Sequence, residues 1–246
     1  MDRMIWTAVS GMNASMARQR MLASNLANAQ TTGFRAEFMQ FTPMTLRGQG
    51  LETRALTDGA VKGALMDPGA VIQTGRPLDV AVNGEALLTV QGADGEEAYT
   101  RRGDLTQTPA GLLLNGEGYP VLGEDGPISV SPGSKVSFSS DGGVLVSDPA
   151  NPDAPPQQVG KLKLAAWRGS TIEKGLDGLF RVVGGGVLPS DAEASVTSGA
   201  LEGSNVDTSL VLVEMIEAQR LFDIRTKLIA TARDLDEGGA SLMRMS

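Results

Sequence analysis

Apolar positions recur at helical spacing at both ends of the chain and at strand spacing between them. From Asp2 to Ala29, at about 100° per residue, one arc about 100° wide holds Met1, Ile5, Ala8, Val9, Met12, Met16, Ala23, Leu26 and Ala27. Arg3, Ser10, Asn13, Arg18, Asn25 and Asn28 lie outside that arc. A stripe of this width is what an amphipathic helix turns toward a core or a partner. Gly33 supplies the stop, because glycine takes the left-handed conformation that a Cβ penalises. The helix would be about 42 Å long.

Pro43 ends any continuation of helix, and residues 44–75 are aperiodic and punctuated by glycine, which predicts an extended connector with one or two short strands. From Arg76 the pattern becomes that of strands. Leu78–Val82 and Ala86–Val90 flank the tight-turn pair Asn83-Gly84. Further turn pairs stand at Asp94-Gly95, Asn115-Gly116, Asp125-Gly126, Asp141-Gly142 and Asp177-Gly178. Between them lie short strand candidates, including Ala98–Arg101, Val136–Ser139, Val144–Val146, Leu162–Trp167 and Leu179–Val183. This spacing with no helical period predicts an all-β body, interrupted by a Pro-rich loop over Asp148–Pro156.

At Leu201–Asn205 the chain leaves that body. Ser204 or Asn205 is expected to cap a second helix, which runs without Gly or Pro to Glu237 before Gly238-Gly239 breaks its end. Leu221, Leu228, Leu235 and Leu242 recur every seven residues, the pattern of a coiled-coil seam. The expected fold is therefore α+β, with long N- and C-terminal helices paired as a coiled-coil-like domain and an all-β domain inserted between them. The expected domains are 1–43 plus 203–246 (helical, discontinuous), 44–75 (connector) and 76–202 (all-β).

Composition narrows what such a protein does. Glycine occurs 31 times among 246 residues while aromatics are 4%, which fits many turns around a lean β core. There is no cysteine and no histidine, so disulfides, Cys/His zinc sites and histidine-based triads are excluded. Net charge is −8, with five basic and two acidic side chains in residues 1–47 and an acidic excess beyond. Nothing forms a basic face for nucleic acid, no apolar run reaches membrane-span length, and the N-terminus does not read as a cleavable secretion signal.

Catalytic patterns are missing as well. No phosphate-binding loop, dinucleotide fingerprint, nucleophile elbow or calcium loop occurs. Glu96-Glu97 and Asp234/Asp236/Glu237 read as solvated surface. No enzyme activity, cofactor or metal is expected. Methionine is instead concentrated in the first helix, at Met1, Met4, Met12, Met16 and Met21, as suits an adaptable contact surface.

Two motifs then converge on a family. Ala23-Ser24-Asn25-Leu26-Ala27-Asn28 followed by Thr31-Thr32-Gly33-Phe34-Arg35-Ala36 resembles the N-terminal signature of bacterial flagellar rod and hook proteins. Leu201-Glu202-Gly203-Ser204-Asn205-Val206, with Glu214-Met215-Ile216 and Arg220-Leu221-Phe222, resembles the matching signature at the other end. Arg76–Val82, Ala98-Tyr99-Thr100-Arg101 and Asp177-Gly178-Leu179-Phe180-Arg181 narrow the resemblance to the proximal-rod branch of the basal-body rod proteins. The distal rod protein is the alternative within the family, and a secreted β-rich carbohydrate-binding protein the alternative outside it.

The resemblance implies a structural subunit exported through the flagellar type III channel without a cleavable signal. It would assemble in the periplasm into a hollow helical driveshaft that transmits torque. The implied partners are proximal and distal rod proteins, copies of the chain itself and, during secretion, the export apparatus, with no nucleic acid and no membrane span. The subunit interface is then expected to use Ile5, Val9, Met12, Met16, Leu22, Asn25, Leu26, Asn28, Gly33 and Phe34 from the first end. From the second it is expected to use Val211, Met215, Leu221, Phe222, Leu228 and Leu235.

Overall fold

A computed structural model describes residues 2–45, 55–148 and 154–244; the side chains of residues 2–8, 41–62 and most beyond 231 lie outside the described set. Two helices stand at the ends, α1 over Asp2–Ala27 and α2 over Thr208–Arg244. Everything regular between them is short antiparallel strand. The chain divides into two compact units. One comprises Met1–Ala27, Glu37–Gly63 and Asp207–Ser246, and the other Asn28–Ala36 and Ala64–Val206.

The second unit is built on a five-stranded sheet in the order Leu164–Ala166, Ala86–Gln91, Glu97–Thr100, Phe180–Val182 and Ile172–Lys174. Gly95 takes φ +84° in the turn joining Ala86–Gln91 to Glu97–Thr100, where a Cβ would be penalised. Ala86–Gln91 is buried on both faces. Leu88 and Val90 join Val80, Leu105, Leu113, Val121 and Val144 in the main core. Leu87 packs with Tyr99, Phe180 and Leu188 in a smaller one. A three-stranded sheet of Lys135–Phe138, Gly143–Ser147 and Gln157–Lys161 adds Val136, Phe138 and Val144 to the main core. The strands on which the chain enters and leaves this unit pair with each other: Val71–Gln73 with Ala200–Glu202, and Val80–Val82 with Val196–Ser198.

The first unit corrects the expected fold class. The protein is mostly β with two helices, and its helices do not form a coiled-coil domain. They share their unit with a two-stranded sheet of Glu37–Thr45 and Ala55–Ala64. The leucine seam is not buried either, since Leu221 is 42% exposed and Leu228 58%. The side chains of Leu235 and Leu242 lie outside the described residues. The face α2 turns inward is instead Val211, Met215, Ala218, Phe222, Arg225 and Ile229, roughly a quarter turn from the seam at about 100° per residue.

Among the described side chains of α1 the buried positions are Ala14, Ser15, Met21, Leu22 and Asn25, while Met16 of the expected stripe is exposed. The reason is steric. Gly11, Ala14 and Ser15 lie opposite Ala218 and leave room for Arg225, whose Nη1 donates to the Gly11 carbonyl and to Ser15 Oγ. Small residues let the helices meet there, while Met16 of α1 and Leu221 and Leu228 of α2 stay exposed.

Both ends of α2 also differ from expectation. Asp207 is the cap, its Oδ1 accepting from the Ser209 and Leu210 amides at 2.9 and 3.1 Å. Gly238-Gly239 does not end the helix, which continues to Arg244.

Candidate assembly interface and the buried clasp beside it

The two terminal motifs meet in the second unit around one carboxylate. Glu202, on the last strand before α2, is 1% exposed. Its Oε1 accepts from Arg35 Nη2 at 2.6 Å and from the Gly69 amide at 2.8 Å. Its Oε2 accepts from Arg101 Nε and Nη2, each at 2.7 Å. Its backbone carbonyl takes the Gly33 amide at 2.7 Å. Of the four hydrogen bonds to this carboxylate, one comes from a backbone amide and three from guanidinium groups, two of these in a fork; bonds of this kind are strong and charge-assisted.

The local sequence makes this approach possible. Gly33 has φ +67°, and a Cβ there would stand 2.4 Å from the Arg101 carbonyl carbon. A Cβ on Gly69 would stand 2.1 Å from the Gly203 oxygen. Asn205 completes the clasp. Its Oδ1 accepts from the Ala36 amide at 2.7 Å, and its Nδ2 donates to the Leu65 and Asp67 carbonyls, both at 2.8 Å. Lys174 Nζ lies 3.5 Å from the centre of the Phe34 ring and donates to the Arg35 carbonyl at 3.1 Å.

The clasp carries two cations for one anion. Burial lowers the pKa of Arg101; Glu202 opposes that shift and the nearby Arg35 adds to it. Arg35 Nε and Nη1 are buried without a hydrogen-bond partner. All the donors on Glu202 come from this chain, so the arrangement fastens one segment of it to another. Among the described residues no group of three His, Cys, Asp or Glu side chains is placed to hold a metal ion.

In the first unit Asn25, at 4% exposure, serves as a backbone mimic. Its Nδ2 donates to the Glu37 carbonyl at 2.9 Å and its Oδ1 accepts the Glu37 amide at 2.8 Å, so the chain after α1 is held like a neighbouring strand.

The residues expected at an interface therefore fall into distinct settings. Leu22, Asn25, Gly33 and Val211 are buried within the chain; Val9, Met12, Leu26, Asn28, Phe34, Met215 and Phe222 are half-buried; Met16, Leu221 and Leu228 are exposed. The side chains of Ile5 and Leu235 lie outside the described residues. Sequence reasoning missed Arg35, Arg101 and Glu202 as a cluster, although each stands inside a segment quoted for the resemblance. It also missed the exposed Leu210, Val213 and Ile224, which extend the outward face of α2.

Comparison with known proteins gives the family. Residues 5–35 match the family described as flagella basal body rod protein, residues 81–146 the flagellar hook protein FlgE/F/G D1 domain, and residues 197–242 the flagellar basal body rod FlgEFG protein C-terminal family. The chain is 39% identical over 252 residues to the flagellar basal-body rod protein FlgF of Escherichia coli K12, covering all of both chains. It is 40% identical over 253 residues to FlgF of Salmonella typhimurium LT2, again covering all of both. To the rod protein FlgG of Bacillus subtilis 168 it is 30% identical over 267 residues, covering 99% of this chain and 100% of the other. The chain belongs to the flagellar basal-body rod protein family.

Proposed function

We propose that this chain is a structural subunit of the bacterial flagellar basal-body rod, in its proximal segment, and that it works by packing and not by catalysis. The observation that carries the reading is full-length likeness to FlgF at 39–40% identity, which takes in both ends of the chain. Membership of the rod family places it in the flagellar basal body in association with other rod proteins. Its neighbours there are copies of itself and the adjoining proximal and distal rod proteins, and the flagellar type III apparatus exports it.

The outward faces of α1 and α2 are the contacts. Met16 on α1 and Leu210, Val213, Leu221, Ile224 and Leu228 on α2 are exposed in the single chain. Each is already about half covered, so full covering by a neighbour would contribute roughly half of the 1.5–3 kcal/mol of a wholly exposed side chain. Contacts between unlike surfaces of identical subunits do not close on themselves and extend into a helical tube. Torque then passes through many such contacts, while the clasp around Glu202 fixes the chain at the points where it leaves α1 and enters α2.

Among the described residues no helix is long and apolar enough to cross a membrane, which agrees with anchorage through protein contacts. The test replaces the cell's own copy of the gene with a tagged version and purifies basal bodies. The reading expects the tag in the proximal rod. A tag found only in the distal rod would move the chain to the other branch of the family, and a tag absent from the rod would refute the reading.

A further inference from the structure

The cleft between α1 and α2 has a volume of about 290 Å³ and is lined by Gly11, Ala14, Ser15, Ala218 and Leu221, with Arg18 and Arg225 at its polar side. Arg225 is half-buried and is held only by neutral acceptors, the Gly11 carbonyl and Ser15 Oγ. A Cβ on Gly11 would lie 3.4 Å from Arg225 Nε, so the glycine makes room for the guanidinium. Arg18 reaches Glu214 only at 4.0 Å. Two guanidinium groups thus line a partly desolvated groove, and of the two Arg18 alone has a distant carboxylate among the described residues.

On the outside of α2 the charge relation is reversed. Glu217 is exposed and lies four residues from both Val213 and Leu221, inside the stripe of exposed apolar side chains. Among the described residues neither Glu217 nor Arg225 has an oppositely charged partner. Covering that stripe with a neighbour would desolvate the Glu217 carboxylate, which is unfavourable unless a cation receives it. The same requirement rejects wrong partners and wrong registers, because they leave the charge unpaired.

We infer that Glu217 of one copy of this chain enters the α1–α2 cleft of the next copy and pairs there with Arg225. This rests on the rod-subunit reading above. The donor stripe and the receiving cleft adjoin along α2, where Leu221 borders both; pairing Glu217 of one copy with Arg225 of the next leaves the other charge of each copy open to a further copy, so the contact propagates. Its two charges set the register, and the apolar stripe around Glu217 supplies the buried area.

Charge exchange in the full chain, produced in cells lacking their own copy, tests the pairing. Glu217→Arg lies at an exposed position and should leave thermal unfolding of the purified chain unchanged. It should lower the number of chains per basal body by about tenfold or more, as loss of a desolvated interfacial pair does. Arg225→Glu should do the same, and the double variant should recover assembly. The chain has no cysteine, so co-producing an Arg18→Cys chain with a Glu217→Cys chain should give oxidised dimers joining the two in purified basal bodies, while either chain alone gives none. Wild-type assembly by Glu217→Arg, a double variant no better than the singles, or rods containing both cysteine chains but no mixed dimers would each overturn the pairing. Wild-type tagged chain absent from basal bodies would overturn the rod reading instead.

Discussion

Arg35 donates to Glu202 at 2.6 Å with both side chains 1% exposed, joining the segment that follows α1 to the strand that precedes α2. Because Arg101 already forks onto the other oxygen of the same carboxylate, the cluster holds one cation more than it can neutralise. The two members are therefore unequal. Glu202→Gln leaves both guanidinium groups buried without a counter-charge and should destabilise the second unit by about 3–5 kcal/mol. Arg35→Met removes the surplus cation together with its two unpartnered nitrogens and should cost less. Chemical denaturation of the two purified variants checks the order; equal losses would show that Arg35 is as necessary as Glu202.

Gly33 and Gly69 are set by space as well as conformation. Gly33→Ala would force the Arg101 backbone aside and Gly69→Ala would meet the Gly203 oxygen. Each should lower stability by about 2 kcal/mol or more. Gly133, with φ +80° and nothing near its Cβ position, should lose less on the same change, only the backbone cost. Urea midpoints of the three alanine variants give the comparison.

Asn25 should be sensitive to the loss of either half of its side-chain amide. Asn25→Asp keeps an acceptor for the Glu37 amide but brings a carboxylate to the Glu37 carbonyl, whereas Asn25→Ala loses both bonds. Each should cost about 1–3 kcal/mol, as a buried group left unpaired does. Hydrogen exchange at the Glu37 amide should quicken most in the alanine variant.

The outward face of α2 separates folding from assembly. Leu228→Asp changes an exposed position, so the purified chain should melt as wild type while basal bodies and swimming are lost. Ala218→Asp, at 1% exposure against α1, should lower the melting temperature itself. A Leu228→Asp strain that swims normally would remove this face from the interface.

Acid should act partly through Asp177. Hydrogen bonds from Arg181 hold its carboxyl below the usual carboxylate range, burial opposing and the Leu179 amide assisting. A lowered folded-state pKa means that the stabilisation is present above the ordinary carboxylate range and is lost as pH falls through the lowered value. Asp177→Asn should therefore reduce the melting temperature at neutral pH, and the difference from wild type should shrink in acid.

The sequence revealed the helices, the turn glycines and the two end motifs because each has a local cause. Hydrophobic periodicity shows that a helix has an apolar stripe, but it does not say what covers that stripe. Where α1 and α2 meet at their cleft the lining includes Gly11, Ala14, Ser15 and Ala218, too small to stand out in a pattern that weighs bulk, while Leu221 and Leu228 of α2 stay largely exposed. The Asp207 cap was passed over for Ser204 and Asn205 because all three residue types cap well; Asn205 is instead committed to Ala36, Leu65 and Asp67. The buried clasp was not legible because Arg35, Arg101 and Glu202 meet only through folding. Read singly, each charged residue belongs on a surface.

A density map of intact basal bodies carrying the tagged chain, at a resolution that separates helices, tests the rod-subunit reading most directly. The expected result places the chain in the proximal rod with Leu221 and Leu228 of α2 covered by an adjoining subunit. A rod built without this chain, or one in which that face of α2 lies against solvent, would contradict it.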